Sequence, residues 1–480
     1  MADTAVRAAP ATSTHERLPL GTKLAFGAGD LGPAIATIIA SFFQLFFLTT
    51  VAGLPPGLAG TILLVVKIWD SVNDPIIGWL TDRTSTRWGR RRPWLLFGAL
   101  PFGLLFFLQW VIPPLGTTGL FIYYLLIALL FDTAFTVVNV PYAALTPELT
   151  RDYDERTALN SYRFAFSIGG SIVGGILHQV IVGQFPDDPR TGYLISGAVV
   201  GALIALPFLW CFAGTRERYE PEPGAEELSL PEQIRYVFSN RPFLFVVGIY
   251  LFSWLAVQVT SAVLTFFIVF WLGSVPQFPA TVFGLSFSQA SDIIPLMLFA
   301  VQGSALVFLF VWSAVSRRIG KKAVYMIGSL IWIAVQAFLY FLRPEQLGLA
   351  IVLGVIAGAG IATAYLIPWS MMPDVIELDE LETGQRREGM FYGFMVLLQK
   401  LGLALGLFLV GLALQASGFD QNLAAGQQPE SALTTIRLMI GPVPTVILIC
   451  GMVLTWFYPI TREKHAQILA QLAARRAATP

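Results

Sequence analysis

Apolar stretches of about 20 residues recur along the whole 480-residue chain, each long enough to cross roughly 30 Å of hydrocarbon as a helix. Short polar segments separate them. Only 12% of the residues are charged, where a soluble domain carries roughly 25%, and the mean hydropathy is +0.69. Lipid is therefore the expected solvent, and the fold class is an all-α membrane protein.

Apolar runs and their Gly, Pro and charged borders predict spans at 22–50, 56–80, 93–112, 120–145, 158–182 and 193–213. A second set is predicted at 243–272, 290–315, 323–342, 348–372, 390–416 and 435–458. The expected organisation is an N-terminal segment (1–21), a first six-helix bundle (22–213), a linker with a short surface helix (214–242), a second six-helix bundle (243–458) and a tail (459–480). The N-terminal segment lacks the apolar core of a secretory signal, so the first span is expected to direct insertion.

Of the 30 lysines and arginines, 24 fall in the N-terminus, the even-numbered connections and the C-terminus. Arg190, Arg343 and Arg437 lie at the other face, and Lys67, Arg163 and Lys400 lie inside spans. Basic residues stay on the cytoplasmic side, which predicts cytoplasmic termini and an even number of spans. "DRTSTRWGRRRPW" (Asp82 to Trp94) and "SRRIGKKAV" (Ser316 to Val324) occupy equivalent places in the two sets, as a parallel repeat requires. Gly170 with Gly174, and Gly402 with Gly406, have the small-xxx-small spacing of close helix contacts.

The formal net charge of zero gives no basic balance for nucleic acid. His15, His178 and His465 are scattered without metal-ligand spacing, and neither a nucleophile elbow nor a phosphate loop is present. No enzyme and no cofactor is expected. Cys211 and Cys450 read as buried thiols in separate spans.

Seven ionisable residues fall within spans: Asp30, Lys67, Asp70, Asp74, Asp132, Arg163 and Lys400. Each costs at least ~2.5 kcal/mol if left facing lipid at mid-depth, so structural pairing and function are the two available reasons for them. In "VKIWDSVNDPIIGW" Asp70 and Asp74 lie about 40° apart on a helix, with Lys67 three positions before Asp70. Asn73 adds an amide, and Pro75 removes a backbone donor and favours a bend. In the fourth span Asp132, Thr136 and Asn139 share a face. If that face meets the second span, the Thr136 hydroxyl completes an oxygen cage with Asp70, Asn73 and Asp74. Such a cage suits a small hard cation, Na+ or, with a single carboxylate, H+. Four aspartates against three basic groups leave one negative charge, which one monovalent ion would neutralise.

"IWDSVNDPIIGWLTDRTSTRWGRRRPW", "VPYAALTPELTRDYDERTALNSYR" and "ELDELETGQRREGMFYG" resemble the glycoside-pentoside-hexuronide:cation symporter family of the major facilitator superfamily, over about residues 22 to 460. The resemblance implies two six-helix bundles, alternating access, and a sodium site at Asp70, Asn73, Asp74 and Thr136. It also implies that Asp30, Arg163 and Lys400 line the central cavity. Asn139 and Ala143 stand where the melibiose permease pattern has an aspartate and a tryptophan, so the grip on a galactoside is weakened. The family's animal lysophosphatidylcholine branch also lacks that aspartate and carries an acid where this chain has Asp132.

The expected solute is glycoside-like, with Asp30, Asp132, Asn139, Arg163, Tyr365 and Lys400 as candidate substrate-binding residues. A lysophospholipid, with Lys400 or Arg163 on phosphate and Asp132 on a choline-like cation, is the alternative. An uncoupled facilitator or scramblase is the third reading. Glu155, Arg156, Asp379, Glu382 and Arg387 are candidate gate residues that pair across the bundles. The chain is expected to be a monomer among membrane lipids, multi-pass in a cell membrane, the bacterial inner membrane.

Overall fold

The computed structural model describes residues 17–150, 153–218, 230–385 and 387–478. Helices dominate because the apolar runs can satisfy their backbone groups in lipid only within themselves. In chain order they are α1 (Leu20–Gln44), α2 (Pro56–Arg83), α3 (Arg92–Leu108), α4 (Thr117–Ala144), α5 (Tyr153–Gly183) and α6 (Pro189–Gly214). The second set is α7 (Arg241–Ser274), α8 (Ala290–Ile319), α9 (Lys321–Phe341), α10 (Leu347–Thr383), α11 (Glu388–Ala416) and α12 (Glu430–Phe457). Among the described residues ten of these are long and apolar enough to cross a membrane. The other two are α2, which carries Lys67, Asp70, Asp74, Asp82 and Arg83, and α3, which has 17 residues.

The linker contains the expected surface helix, Leu230–Ser239. Three segments differ from expectation. The span expected to end at 372 continues as α10 to Thr383, because Asp374, Val375, Ile376 and Asp379 are buried against protein beyond the apolar stretch. The tail forms a helix, Arg462–Ala478, that buries Ile468 and Leu472. Glu155 and Arg156 lie in the first turns of α5 rather than in a loop. A small antiparallel hairpin, β1 (Ala280–Val282) and β2 (Leu285–Phe287), follows α7.

Close backbone approach sets the packing. A Cβ on Gly103 of α3 would lie 2.4 Å from the Gly201 carbonyl of α6, and one on Gly411 of α11 would lie 2.5 Å from the Pro56 carbonyl of α2. The second of these contacts joins the two helix sets. Gly170 and Gly174 face Leu31 and Ile35 of α1, while Gly402 and Gly406 face α7, as their spacing predicts.

The sets also meet at the end away from the basic connections. Thr265 Oγ1 donates to the Phe42 carbonyl at 2.8 Å, the Phe46 and Phe266 rings are 5.2 Å apart, and Gln421 reaches the Gly53 carbonyl at 3.3 Å. A cavity of about 520 Å³ lies between the sets.

Candidate functional site

Asp30 reaches the cavity because α1 turns at Gly29 and Asp30. The Tyr142 ring of α4 occupies the space where a Cβ on Gly29 would stand, at 2.4 Å, and its hydroxyl donates to the Phe26 carbonyl at 2.8 Å. Arg163 of α5 faces the same point. Its Nη2 donates to Asp30 Oδ1 at 3.4 Å, and Nε lies 3.3 Å from Oδ2 without a hydrogen-bonding angle. The guanidinium also stacks 5.3 Å from the Tyr142 ring centre. This pair forms one wall of the cavity. Asn139 of α4 and, opposite, Trp254 and Gln258 of α7, Gln302 of α8, Tyr365 of α10 and Gln399 of α11 complete it. The Trp254 and Tyr365 rings are 5.7 Å apart and tilted, giving an aromatic face among amide groups.

The second cluster sits between α2, α4 and α11. Helical spacing places Lys67, Asp70 and Asp74 along one stripe of α2, and Asp132 and Thr136 along one stripe of α4. Lys67 Nζ bridges Asp70 Oδ2 at 3.2 Å and Asp132 Oδ1 at 3.1 Å. Lys400 crosses from the other helix set, with Nζ 2.8 Å from Asp70 Oδ1 and in close contact with Asp74 Oδ2. Thr136 Oγ1 donates to Asp74 Oδ1 at 3.1 Å. Asp70, Asp132 and Thr136 are 2%, 3% and 1% exposed, so removing Lys67 would leave the Asp132 carboxylate buried and unpaired. On these two helices the buried atoms Asn73 Nδ2 and Asp132 Oδ2 lack a partner among the described residues.

Asp70, Asp74 and Thr136, three of the four residues expected to share a cation, are thus brought together, and Asn73 is buried next to Asp74 in sequence on α2. Asp70 is buried and Asp74 half-buried, and an ammonium group occupies the point their oxygens share. Asp30, Asn139, Arg163 and Tyr365 line the cavity as expected. Asp132 and Lys400 do not; each is drawn into the carboxylate cluster, where pairing offsets the cost of burying its charge.

Among the described residues the contacts of the expected gate residues lie in separate places. Glu155 accepts from Lys23 Nζ at 2.9 Å and the Leu18 N–H at 3.0 Å, both from its own half. Asp379 accepts from the Tyr236 hydroxyl and from Asn240 Nδ2 at 3.4 Å. Arg387 stacks 4.2 Å from the Tyr236 ring and donates to Gln385. Glu382 is exposed, and the side chain of Arg156 lies outside the described residues.

Trp254, Gln258, Gln302 and Gln399 escaped the sequence reading, which followed formal charge. Neutral amides inside apolar runs, as in "WLAVQVTSA" and "FAVQG", were the available signal. The structure also brings His465 Nε2 to 2.6 Å from Glu377 Oε2 and 3.3 Å from Asp374 Oδ1, a grouping across 88 residues that no local spacing shows. Lys321 Nζ holds the same Asp374 at 2.6 Å.

Comparison with known proteins gives the family. A family profile described as MFS/sugar transport protein matches residues 25–462. An uncharacterized symporter of Synechocystis, sll1374, is 44% identical, covering 96% of this chain and 98% of its own. The sodium-dependent lysophosphatidylcholine symporter 1-A of Danio rerio is 29% identical, covering 93% of this chain and 87% of its own. The putative glycoside/cation symporter YagG of Escherichia coli is also 29% identical, covering 96% of each chain. Among solved structures, a bacterial homologue of the lysosomal transporter Spinster superposes with a TM-score of 0.65 at 12% identity, covering 94% of this chain and 97% of its own; that likeness concerns the fold alone. The chain therefore belongs to the MFS/sugar transport protein family, the glycoside:cation symporters of the major facilitator superfamily, and is a membrane transporter rather than an enzyme.

Proposed function

We propose that the chain is a sodium-coupled symporter of a glycoside-like solute. In this reading all twelve long helices span the membrane as two six-helix bundles, both termini are cytoplasmic, and the solute crosses by alternating access. The observation that carries it is the contact of Lys400 with both Asp70 and Asp74, because it ties the charge state of the cation cluster to the contact between the two helix sets. Sodium at the oxygens of Asp70, Asn73, Asp74 and Thr136 would displace the ammonium of Lys400, freeing α11 from α2. Binding energy at the ion site would thereby change the relation of the two halves. Since such coupling is reciprocal, solute raises sodium affinity by the factor with which sodium raises solute affinity.

The contacts of Phe42, Phe46 and Gly53 with α7 and the α11–α12 connection close the end opposite the basic segments. With cytoplasmic basic loops this is an inward-open state. Glu155, Asp379 and Arg387 are then gate residues held within their own halves until the cytoplasmic side closes; Arg156 and Glu382 are assigned to the same role.

A cavity of about 520 Å³ is within the range of small-molecule sites, roughly 300–1,000 Å³. Asp30, Arg163, Asn139, Gln258 and Gln302 supply donors and acceptors for hydroxyls, and Trp254 with Tyr365 supplies a ring face. The apolar recess behind Tyr365, lined by Leu264, Phe267 and Met297, holds about 30 Å³, far below the volume of small-molecule sites, which disfavours a lysophospholipid tail there. The unpartnered Asp132 Oδ2 favours a second reading for the ion, a proton carried by that carboxyl.

Uptake into sealed proteoliposomes tests the proposal. Accumulation of a glycoside driven by an inward sodium gradient is expected, and Asp74→Cys should abolish it while leaving insertion intact. Accumulation driven only by a proton gradient transfers the coupling role to Asp132. Equilibration without accumulation under either gradient would overturn coupling.

A further inference from the structure

His465 is the one imidazole among the described residues that a dissolved ion can reach: its side chain is 25% exposed, whereas His178 is buried within α5. It stands in the first turn of the tail helix, Arg462–Ala478, against the part of α10 that runs on beyond the apolar stretch. Asp374 and Glu377 lie there three positions apart, on one face of α10. His465 Nε2 is 2.6 Å from Glu377 Oε2 and 3.3 Å from Asp374 Oδ1, and one ligand atom from each of the three falls within 4.8 Å of the others. Ligand atoms about 2.0–2.2 Å from a tetrahedral zinc ion stand roughly 3.3–3.6 Å from one another. The contact of His465 with Asp374 already has that length, and Glu377, half-buried, has only to give up its hydrogen bond and draw back by about 1 Å.

A second observation points to a ligand at this place. Tyr458, 2% exposed, lines a pocket of about 400 Å³ together with Asp374 and His465, and its hydroxyl has no hydrogen-bond partner among the described residues. Buried hydroxyls are seldom left so, and water on the open fourth position of a three-ligand metal site would answer this one. Lys321 Nζ holds both Asp374 oxygens, at 2.6 and 2.8 Å, and the Ser370 carbonyl at 2.6 Å. Ligating carboxylates commonly carry such outer support, and each oxygen keeps a further lone pair. Two carboxylates against one ammonium leave a negative charge for a cation to meet. Four more basic residues line the pocket. Lys322 is turned to the Trp456 and Tyr458 carbonyls and Arg462 to the Arg318 carbonyl, while Arg317 and Arg318 are exposed, where water and salt screen them. Glu463 adds a carboxylate to the same wall.

We propose that Asp374, Glu377 and His465 bind a divalent transition-metal ion, of which zinc is the type, and that the ion fastens the tail helix to α10. The donor set decides the class of metal: one imidazole nitrogen with two carboxylate oxygens suits zinc and its first-row neighbours, whereas calcium and magnesium take oxygen alone. The site lies apart from the carboxylate cluster of α2 and α4 and is independent of the transported solute and of the coupling ion.

The test uses the full chain in detergent micelles, purified without a histidine tag, stripped of metal and titrated with Zn2+ by calorimetry. Saturable binding of one ion per chain is expected, with no binding of Mg2+ at the same concentration. Glu377→Gln keeps an acceptor for the His465 N–H, and with it the metal-free contact of the tail helix, but offers the ion only a neutral amide. It should bind Zn2+ at least about 100-fold more weakly, beyond the roughly 10–100-fold lost with an outer partner alone, and His465→Ala should do the same. With Zn2+ at 100 times its Kd, amide hydrogen exchange in the tail helix should slow about 100-fold in the wild type and stay unchanged in Glu377→Gln. Absence of saturable Zn2+ binding, or equal binding by both variants, would overturn the site. Binding that leaves exchange in the tail helix unchanged would overturn the fastening.

Discussion

The helices α1 to α6 hold Asp30, Lys67, Asp70, Asp74, Asp132 and Arg163, whereas α7 to α12 answer with Lys400 alone among the ionisable groups read within apolar spans. The cavity repeats the contrast: a carboxylate and a guanidinium on one wall, and indole, phenol and amides on the other. The first half thus carries most of the charge read within the spans, while the second supplies ring faces, amides and the ammonium of Lys400. Under the proposed alternating access this division is an advantage, because among the described residues the ion pairs that cross between the halves at mid-depth are those of Lys400. The reverse arrangement, with ligating carboxylates split between halves, would lock the two together whenever an ion was bound.

Lys400→Gln is the sharpest way to break this comparison. With the ammonium gone, Asp70 keeps Lys67 at 3.2 Å, while Asp74 is left with the Thr136 hydroxyl and no cation, and removal of one partner from a buried pair costs about 3–5 kcal/mol. Transport should fall by roughly 10²–10³-fold. Sodium binding, followed by the melting temperature at increasing sodium, should persist or tighten, since the competitor has been removed. Loss of sodium binding in this variant would make the second half a ligand donor and dissolve the division. Next in size is Asp30→Asn, which leaves Arg163 inside the cavity wall without its carboxylate. Its KM for solute should rise at least about tenfold, the effect of losing a charge-assisted hydrogen bond, with the sodium dependence unchanged.

The charged half of the site was legible because buried charge is rare and costly, so a Lys67–Asp70–Asp74 stripe is conspicuous in any apolar helix. Spacing also told that Thr136 and Asp132 share a face. It did not tell that Lys400 would lie on that stripe, because the contact joins residues 330 apart and depends on how α2 and α11 cross at Gly60 and Gly411. The neutral wall was harder to read. Gln258 and Trp254 carry little insertion cost, and hydropathy hides them among their neighbours. The continuation of α10 to Thr383 was missed for the opposite reason: Asp374 and Asp379 look like loop residues until Lys321, Tyr236 and Asn240 are seen to pair with them.

The neutral wall gives a smaller test of the same contrast. Trp254→Leu removes the ring opposite the Asp30–Arg163 pair while keeping apolar bulk. Loss of a ring face is worth about 1 kcal/mol, so KM should rise roughly fivefold, with neither sodium affinity nor turnover at saturation changed. A change in sodium affinity as large as the change in KM would mean that Trp254 reports on the ion site and that the walls are not separable.

Two glycines of α11 test the contact between the halves and divide the effect by location. Gly411 lies against the Pro56 carbonyl of α2, where a Cβ would come to 2.5 Å, so alanine there must push the two halves apart. Overpacking costs about 1–3 kcal/mol, and Gly411→Ala should lower the melting temperature and shift the protein away from the state in which these helix ends meet. Gly402 faces α7 within the second half, and its Cβ would make ordinary contact at 3.7 Å from Leu251. Gly402→Ala should therefore leave melting and transport close to wild type. If both variants behave alike, contact between the halves is no tighter than packing within one, and Lys400 cannot be the main tie that a bound cation has to release.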